Sequence, residues 1–322
     1  PKCGGEAKRE TNTMPQWAGS CWYYLRYLDP RNPDAFVAPE KLEYWMPVNV
    51  YVGGAEHAVL HLLYSRFWHK VLYDLGYVNT SEPFLRLVNQ GMILGEGGVK
   101  MSKSLGNVIN PDEIIEEFGA DSMRMYEMFM GPLEVSKPWS TKGLTGVHLF
   151  LDRVWRLSQR EIVESGPPEK LLRLLHKTIK KVTLDTGHME FNTAISQMMI
   201  FVNELFKEEG INRQLFEPFI FLLSPYAPHL AEELWEQFGH SPSLAGQSWP
   251  EWREELTVEE EVTVVIQING KVRSKIQLDA GTNGETMQKK ALEVDRIQEL
   301  LDGKTVRKVI TVPDKLVNIV AH

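Results

Sequence analysis

Cysteine and long apolar runs are scarce in this sequence. Two cysteines, Cys3 and Cys21, among 322 residues exclude a disulfide framework and are too few for a four-cysteine zinc site within the chain. No apolar run approaches the roughly 18 residues that a membrane helix needs. Residues 1–13 are polar with both charge signs, unlike a secretory signal. These absences predict a cytoplasmic protein without a membrane partner.

The sequence also lacks an excess of positive charge. Lysine and arginine number 35 against 43 aspartate and glutamate, which gives a net charge of −8 at pH 7. Domains that bind nucleic acid are usually basic, so any such contact must come from local basic patches. The first residue is proline and the sequence starts in mid-pattern, so we expect a fragment or a processed product.

Periodicity predicts an α/β domain over residues 1–140. The segments Val48–Val52 and Leu85–Leu94 are β-branched or apolar and predict strands. Between them, Glu56–Leu75 has helical spacing. Strands that alternate with helices predict a doubly wound parallel sheet. Asn110 and Asp121 are predicted caps of the next two helices.

The rest of the chain predicts two further domains. Apolar residues recur at helical spacing through residues 141–255, with Asn192 as one predicted cap, which indicates an all-α helix bundle. Over 256–322 the period changes to strict alternation around Asn269–Gly270, a strong hairpin signal. With a predicted helix at Glu285–Leu301, this region predicts a small α+β unit of ββαββ order.

The string Lys100-Met101-Ser102-Lys103-Ser104 is the sharpest chemical signal. Two ammonium groups three residues apart, with two hydroxyls, can close over a polyphosphate and neutralise charge on a pyrophosphate leaving group. The alternative is an ordinary solvated loop. The glycine-rich turn before it and Gly106 after it favour the phosphate interpretation.

This string resembles the KMSKS signature of class I aminoacyl-tRNA synthetases, and the downstream string Gly119–Arg124 is also similar to that class. Within the class, the closest resemblance is to bacterial leucyl-tRNA synthetases. Two strings carry it, Thr13–Tyr24 and Gly53–His61. The strings Phe191–Ala194 and Ala227–Trp235 resemble the helical domain of the leucine, isoleucine and valine enzymes. The resemblance covers essentially the whole chain. It implies the second half of a Rossmann-like catalytic domain, an anticodon-binding-type bundle and a small C-terminal domain that contacts tRNA.

The resemblance implies a role for each matching site residue. Lys103 and Lys100 would be catalytic. The leucine pocket would be lined by Trp17, Ser20, Tyr51, His57 and His61. ATP would be bound by Gly53, Gly54, Glu56, Gln90, Met92, Ser102 and Ser104.

Physical arguments support several of these roles and leave alternatives open. Two glycines bring backbone close to a ligand at the edge of a parallel sheet, where Glu56 could accept hydrogen bonds from ribose hydroxyls. His57 and His61 are four residues apart on one predicted helical face, so they could also be core groups or metal ligands. Trp17, Tyr51 and Met92 have core packing as the alternative.

Two basic clusters are candidates for contact with tRNA. Arg153, Arg156 and Arg160 share one side of the first bundle helix by spacing. Lys271, Arg273 and Lys275 recur at period two and would share one face of a strand. The alternative for both clusters is a solvated face.

The implied function is that of the C-terminal portion of a leucine–tRNA ligase. Its substrates would be leucine, ATP with Mg²⁺, and tRNA(Leu). The sequence has no HIGH-type motif, which a class I site also needs, so the N-terminal half of such an enzyme is an expected partner. The alternatives are a tRNA-binding subunit active only with that half, and an isoleucyl or valyl enzyme. Cys3 could belong to a zinc knuckle or be an inert thiol; no metal site is predicted.

Overall fold

A computed structural model describes residues 3–9, 11, 19–241, 243–258 and 261–322. Trp17 therefore lies outside the described residues. Within the described ranges, no helix combines the length and the apolar character needed to cross a membrane.

The first region contains short parallel strands between helices, as predicted. Its elements are α1 (Tyr23–Arg26), α2 (Pro39–Trp45), β1 (Tyr51–Gly54), α3 (His61–Asp74), β2 (Leu87–Gln90), β3 (Ile93–Leu94), α4 (Pro111–Phe118), α5 (Ala120–Phe129) and β4 (Lys137–Pro138). β1 pairs with β2 in parallel, and β3 pairs with β4 in parallel. The α/β character of this region is confirmed.

The structure corrects the predicted boundaries around β1 and β2. β1 starts at Tyr51 rather than Val48, so both glycines lie within the strand. The predicted strand Leu85–Leu94 is split, because the Gly91 amide turns away from β1 and donates to the Leu133 carbonyl at 2.8 Å. Its two parts consequently pair with different strands.

The prediction of one helix over Glu56–Leu75 is also wrong. Ala55–Ala58 forms a single 3₁₀ turn, and α3 begins only at His61. Leu60, between them, has φ −113° and ψ −101°, which is not helical. His57 and His61 therefore do not share an α-helical face.

Helix α3 has its polar side facing inward. His61, Ser65 and His69 are buried, and Ser65 and His69 are both 0% exposed. The opposite side carries the apolar residues Leu63, Phe67 and Val71 at four-residue spacing. Val59 before the helix and Leu75 after it keep the same spacing in the sequence, and all five are between 40% and 70% exposed. We call these five residues the apolar stripe of α3. Its pattern reverses that of an ordinary surface helix.

The second region is a helix bundle, as predicted. It comprises α6 (Thr141–Ser158), α7 (Glu169–His188), α8 (Phe191–Leu205), α9 (Arg213–Leu223) and α10 (Pro228–Gln237). Its buried core includes Leu144, Ile179, Met198, Phe219 and Leu234, and it extends back to Met125 of α5.

Two predicted helix caps are corrected. α8 begins at Phe191, so Asn192 lies inside the helix instead of capping it. Asp121 does not cap α5, whose start makes no side-chain cap. By contrast Asn110 caps α4 as predicted, accepting from the Asp112 amide at 3.2 Å.

The third region packs two helices against one sheet. Its elements are β5 (Glu261–Ile268), β6 (Lys271–Asp279), α11 (Gly284–Leu292), α12 (Asp295–Leu301), β7 (Val306–Val312) and β8 (Leu316–Ala321), and the sheet order is β6-β5-β8-β7. Asn269 and Gly270 form the predicted hairpin, with φ of 51° and 77°. The helix predicted as single is two helices.

A β-bulge contradicts the prediction that three cations share one face of β6. The register shifts between Ile266 and Gln267, leaving Arg273 without a partner in the ladder. Lys271 pairs with Ile268, whereas Lys275 pairs with Val265. Val265 and Ile268 are three residues apart on β5 and therefore point to opposite faces of the sheet. Because paired residues share a face, Lys271 and Lys275 also lie on opposite faces.

Candidate active site

A cavity of about 650 Å³ opens where β1 and β2 end. The carboxyl ends of parallel strands meet at one edge of the sheet, the usual position of a ligand site in such folds. The predicted site residues that line it are Ser20, Tyr51, Gly53, Gly54, Glu56, His57, His61, Gln90 and Met92. The structure thus brings together the predicted leucine and ATP residues that flank the strands.

His61 is fixed by hydrogen bonds on both ring nitrogens. Its Nε2 lies 2.7 Å from the Ser20 carbonyl oxygen, and its Nδ1 lies 2.7 Å from the Tyr51 hydroxyl. A carbonyl oxygen only accepts, so Nε2 carries a proton and donates to Ser20, while the Tyr51 hydroxyl is the hydrogen-bond partner of Nδ1. Burial raises the pKa of Tyr51, which keeps this hydroxyl protonated and able to donate.

A second histidine repeats this arrangement behind the cavity wall. His69 donates from Nε2 to the Thr80 carbonyl at 2.9 Å and accepts at Nδ1 from the Tyr24 hydroxyl at 3.0 Å. Burial lowers the pKa of His69 and so favours this neutral form. The Phe84 ring connects the two arrangements, with centroid distances of 5.2 Å to Tyr24 and 4.6 Å to Tyr51.

At two glycines on the cavity wall an added Cβ would meet other atoms of the protein. A Cβ on Gly54 would overlap the carboxylate of Glu56, which folds back against β1. A Cβ on Gly91 would overlap the backbone carbonyl of Val135 and lie 2.5 Å from the Ser136 nitrogen. The first obstacle is the end of a flexible side chain, whereas the second is backbone that cannot move independently.

The string Lys100–Ser104 forms a short ordered loop beyond β3, outside the residues that line the cavity. Lys103–Leu105 is a 3₁₀ turn, ended by Gly106 with φ 62°. The Ser102 and Ser104 hydroxyls lie 3.2 Å apart. Lys100 and Lys103 are exposed, and neither forms an ion pair with any described residue.

The three arginines of the first bundle helix have different surroundings. Arg160 follows the end of α6, lies 4.1 Å above the Phe206 ring and donates to the Phe206 and Glu208 carbonyls. Arg153 donates to the Asn203 side chain. Arg156 is exposed and paired with Asp152 at 2.9 Å.

Asp121 links α5 to the bundle, a contact that the sequence analysis missed. Its carboxylate is 8% exposed and accepts from the Leu230 amide and from the His229 ring, both at 2.8 Å. It therefore caps α10, a helix more than 100 residues away, rather than its own. One turn further along α5, Arg124 donates to the Pro225 carbonyl at 3.0 Å.

The described residues offer little for a resident metal ion. They contain no group of three or more histidine, cysteine, aspartate or glutamate side chains placed to hold one. Cys3 is exposed, and Cys21 is buried.

Two protein families match this chain. Residues 4–134 match the tRNA synthetases class I (I, L, M and V), and residues 169–289 match the anticodon-binding domain of tRNA ligase. A leucine–tRNA ligase of Borrelia garinii subsp. bavariensis is 56% identical over 97% of the chain. The chain spans 41% of the length of that relative.

Solved structures agree with these matches. A leucyl-tRNA synthetase of Agrobacterium radiobacter K84, in a ternary complex with tRNA and LeuAMS, is 34% identical with a TM-score of 0.76, covering 100% of this chain and 44% of that one. A methionyl-tRNA synthetase of Mycobacterium tuberculosis, bound by methionyl-adenylate, is 17% identical with a TM-score of 0.53, covering 73% of this chain and 53% of that one, and shares the fold.

Proposed function

Because this chain belongs to the class I tRNA synthetases and is homologous to leucine–tRNA ligases, we propose that it acts in the ATP-dependent activation of leucine and its transfer to tRNA(Leu). The observation that carries the proposal is the cavity where β1 and β2 end, since it gathers residues that the sequence predicted for leucine with residues that it predicted for ATP. We propose the cytoplasm as its location, as the scarcity of cysteine predicts.

The leucine subsite is proposed at the aromatic side of the cavity. Tyr51 and Phe84 supply an apolar wall for an aliphatic side chain. His61, held in place by Tyr51 and the Ser20 carbonyl, adds the flat surface of its ring. His57 lines the same cavity, and Trp17 joins this proposal from the sequence alone.

The ATP subsite is proposed along the glycine side of the cavity. Gly53 and Gly54 let backbone approach the nucleotide closely. The Glu56 carboxylate beside them is an acceptor for ribose hydroxyls, and Gln90 with Met92 would approach the adenine. Mg²⁺ would arrive with ATP, because phosphate oxygens supply most of its ligands there.

Activation of leucine is an in-line displacement at the α-phosphorus. A carboxylate oxygen of leucine forms the new bond to phosphorus, and the bond to the pyrophosphate oxygen breaks. Lys103 and Lys100 would stabilise the charge that develops on pyrophosphate, and the hydroxyls of Ser102 and Ser104 would donate hydrogen bonds to it. Positioning and charge stabilisation carry this chemistry, so no general base is required of the chain.

We propose that a second polypeptide region completes the site. The apolar stripe of α3 is an exposed surface of a kind that isolated proteins seldom carry. Within the described residues β1 and β2 form a sheet of only two parallel strands, and parallel sheets are normally larger and covered on both faces. The Borrelia and Agrobacterium relatives are more than twice as long as their matched parts. The occupant proposed for this surface is the region with the HIGH-type motif, the N-terminal half.

A tRNA-binding role without catalysis is the second candidate for the chain by itself. The loop carrying Lys100 and Lys103 is not part of the cavity lining, which favours a site incomplete without its other half. Contact with tRNA phosphates is proposed for Arg156, Lys271, Arg273 and Lys275, all exposed. Arg153 and Arg160 are proposed to contact tRNA phosphates while they keep their hydrogen bonds to α8 and to the turn after it.

The test is ATP–pyrophosphate exchange by the chain combined with a separately produced N-terminal half. Lys103→Ala is expected to reduce leucine-dependent exchange roughly 10²-fold, on the scale of one lost preorganised charge donor, with the KM for leucine unchanged. Lys142→Ala, another exposed lysine, is the matched control and should retain the full rate. An equal effect of both substitutions, or no exchange by the combined wild-type halves, would refute the proposed activity.

A further inference from the structure

We propose that Asn107 is a positioning residue for Lys100 and Lys103. Asn107 follows the Lys100–Ser104 loop and contributes nothing to the cavity. Its side chain nevertheless makes the hydrogen bonds that define the shape of this loop. The inference rests on the proposed function, in which the two lysines act on the phosphates of ATP.

The Asn107 amide holds the loop at two points on either side of Met101. Its Oδ1 accepts from the Ser102 backbone amide at 2.9 Å, and its Nδ2 donates to the Lys100 carbonyl at 3.3 Å. One side chain thereby does what a neighbouring strand would do, satisfying a donor and an acceptor of the loop backbone. Lys100 is fixed directly, and Lys103 follows immediately after Ser102.

The course of the backbone returns Asn107 to this position. The 3₁₀ turn Lys103–Leu105 ends at Gly106, whose φ of 62° lies in the left-handed region that favours glycine. The chain consequently reverses after the second lysine. A residue that extended the turn at position 106 would carry Asn107 away from Ser102.

Gly95 provides the space that the Asn107 side chain occupies. It is buried, and its amide donates to the Val99 carbonyl at 2.8 Å, closing the turn that precedes the loop. A Cβ at Gly95 would lie 2.9 Å from Asn107 Nδ2, closer than side chains normally approach. The absence of a side chain at Gly95 therefore makes room for the side chain of Asn107.

Apolar packing anchors the segment separately from this pair. Ile93 and Ile109 at its ends, and the Met101 side chain between the two hydrogen bonds, pack against the core of the bundle. What Asn107 fixes is thus the local path from Lys100 to Ser102, not the attachment of the loop to the protein. Losing it should leave the fold intact and enlarge the set of conformations open to the two lysines, which weakens a preorganised charge site.

Limited proteolysis of the full chain by trypsin tests the hold on the loop directly. Trypsin cleaves after Lys100 and Lys103, and its rate follows the population of opened loop when opening is fast. Asn107→Ala removes both hydrogen bonds and should raise cleavage at these two sites about tenfold. Gly95→Ala should act in the same direction by displacing the Asn107 side chain.

Two further variants separate the hold on the loop from general destabilisation. Asn107→Asp keeps the acceptor for Ser102 but loses the donor to Lys100, so cleavage should increase by less than in Asn107→Ala. Asn110→Ala removes a similar side-chain acceptor three residues later, at the cap of α4, and should leave cleavage after Lys100 and Lys103 unchanged. Cleavage at other lysines serves as the internal reference for folding.

Exchange by the combined halves supplies the functional readout. Asn107→Ala should lower the kcat of leucine-dependent exchange and leave the KM for leucine unchanged. Unchanged cleavage in both Asn107→Ala and Gly95→Ala would overturn the inference, whatever the exchange rate. Faster cleavage with an unchanged kcat in Asn107→Ala would also overturn the inference, provided that Lys103→Ala is still defective in exchange. If Lys103→Ala were fully active as well, the proposed function itself would have failed.

Discussion

Gly91→Ala is expected to disrupt the crossing of two chain segments at the wall of the cavity. The segment that joins β2 to β3 passes directly over residues 132–136 at Gly91. The Gly91 amide donates to the Leu133 carbonyl at 2.8 Å, and the Met92 amide donates to the Ser136 hydroxyl at 3.0 Å. A methyl group at this point would occupy the position of the Val135 carbonyl.

The size of the effect follows from what obstructs the methyl group. Overpacking typically destabilises by about 1–3 kcal/mol. Here the upper end applies, because the obstacle is backbone and both hydrogen bonds would lengthen as the two segments separate. We expect a local loss of about 3 kcal/mol, which corresponds to an opened population roughly 10²-fold larger.

Hydrogen–deuterium exchange of the folded chain measures this population at each segment. Peptides covering residues 87–94 and 132–139 should exchange about 10²-fold faster in Gly91→Ala. Gly146→Ala is the matched control: it lies inside α6 with open space around it, so the same change should stabilise the helix by about 0.5–1 kcal/mol. Protection at Gly91 that stays within threefold of wild type would refute the argument from backbone overlap.

Three other substitutions test the site and its supports. Gly54→Ala should push the Glu56 carboxylate from β1 and weaken ATP binding by the combined halves about tenfold, with an unchanged melting temperature; a lower melting temperature would show that backbone moved instead. Because burial lowers the pKa of His69, the unfolded chain gains a proton before the folded one as the pH falls through about 6.5, so stability rises with pH in the window below that value. Urea unfolding at pH 7.5 and pH 5.5 should show a smaller difference in His69→Gln than in wild type, and equal differences would contradict this assignment. Asp121→Ala should destabilise the start of α10 by about 1–2 kcal/mol, read as faster amide exchange at Leu230, whereas unchanged exchange would show that the cap contributes nothing.

Local signals in the sequence predicted the parts of the fold that depend on neighbouring residues. Asn110 before Pro111 predicts a helix start because both act within one turn, and the structure has α4 there. Asn269–Gly270 predicts a tight hairpin because both residues tolerate positive φ. The cavity residues were predicted as a set from the resemblance to class I synthetases, and the meeting of Gly53, Gly54 and Gln90 has a physical reason besides, because the ends of parallel strands lie at one edge.

Features that depend on distant residues could not be predicted in this way. Aspartate is a favoured capping residue, but the amide that Asp121 binds belongs to Leu230, which only the fold brings near. The break at Leu60, which separates His57 from His61, has no glycine or proline to announce it. The buried pair of His69 and Tyr24 did leave a signal, since His61, Ser65 and His69 repeat at four-residue spacing as a polar stripe.

The attachment of α5 to the start of α10 determines where the chain can bend. Asp121 and Arg124, one helical turn apart on α5, bind the Leu230 amide at the start of α10 and the Pro225 carbonyl before it. Two contacts of this kind oppose rotation of α5 against the bundle. The bundle and α5 are therefore expected to move as one rigid body. Met101 and Ile109 also pack against the bundle core, so the chain on both sides of Lys103 is attached to the same body as α5.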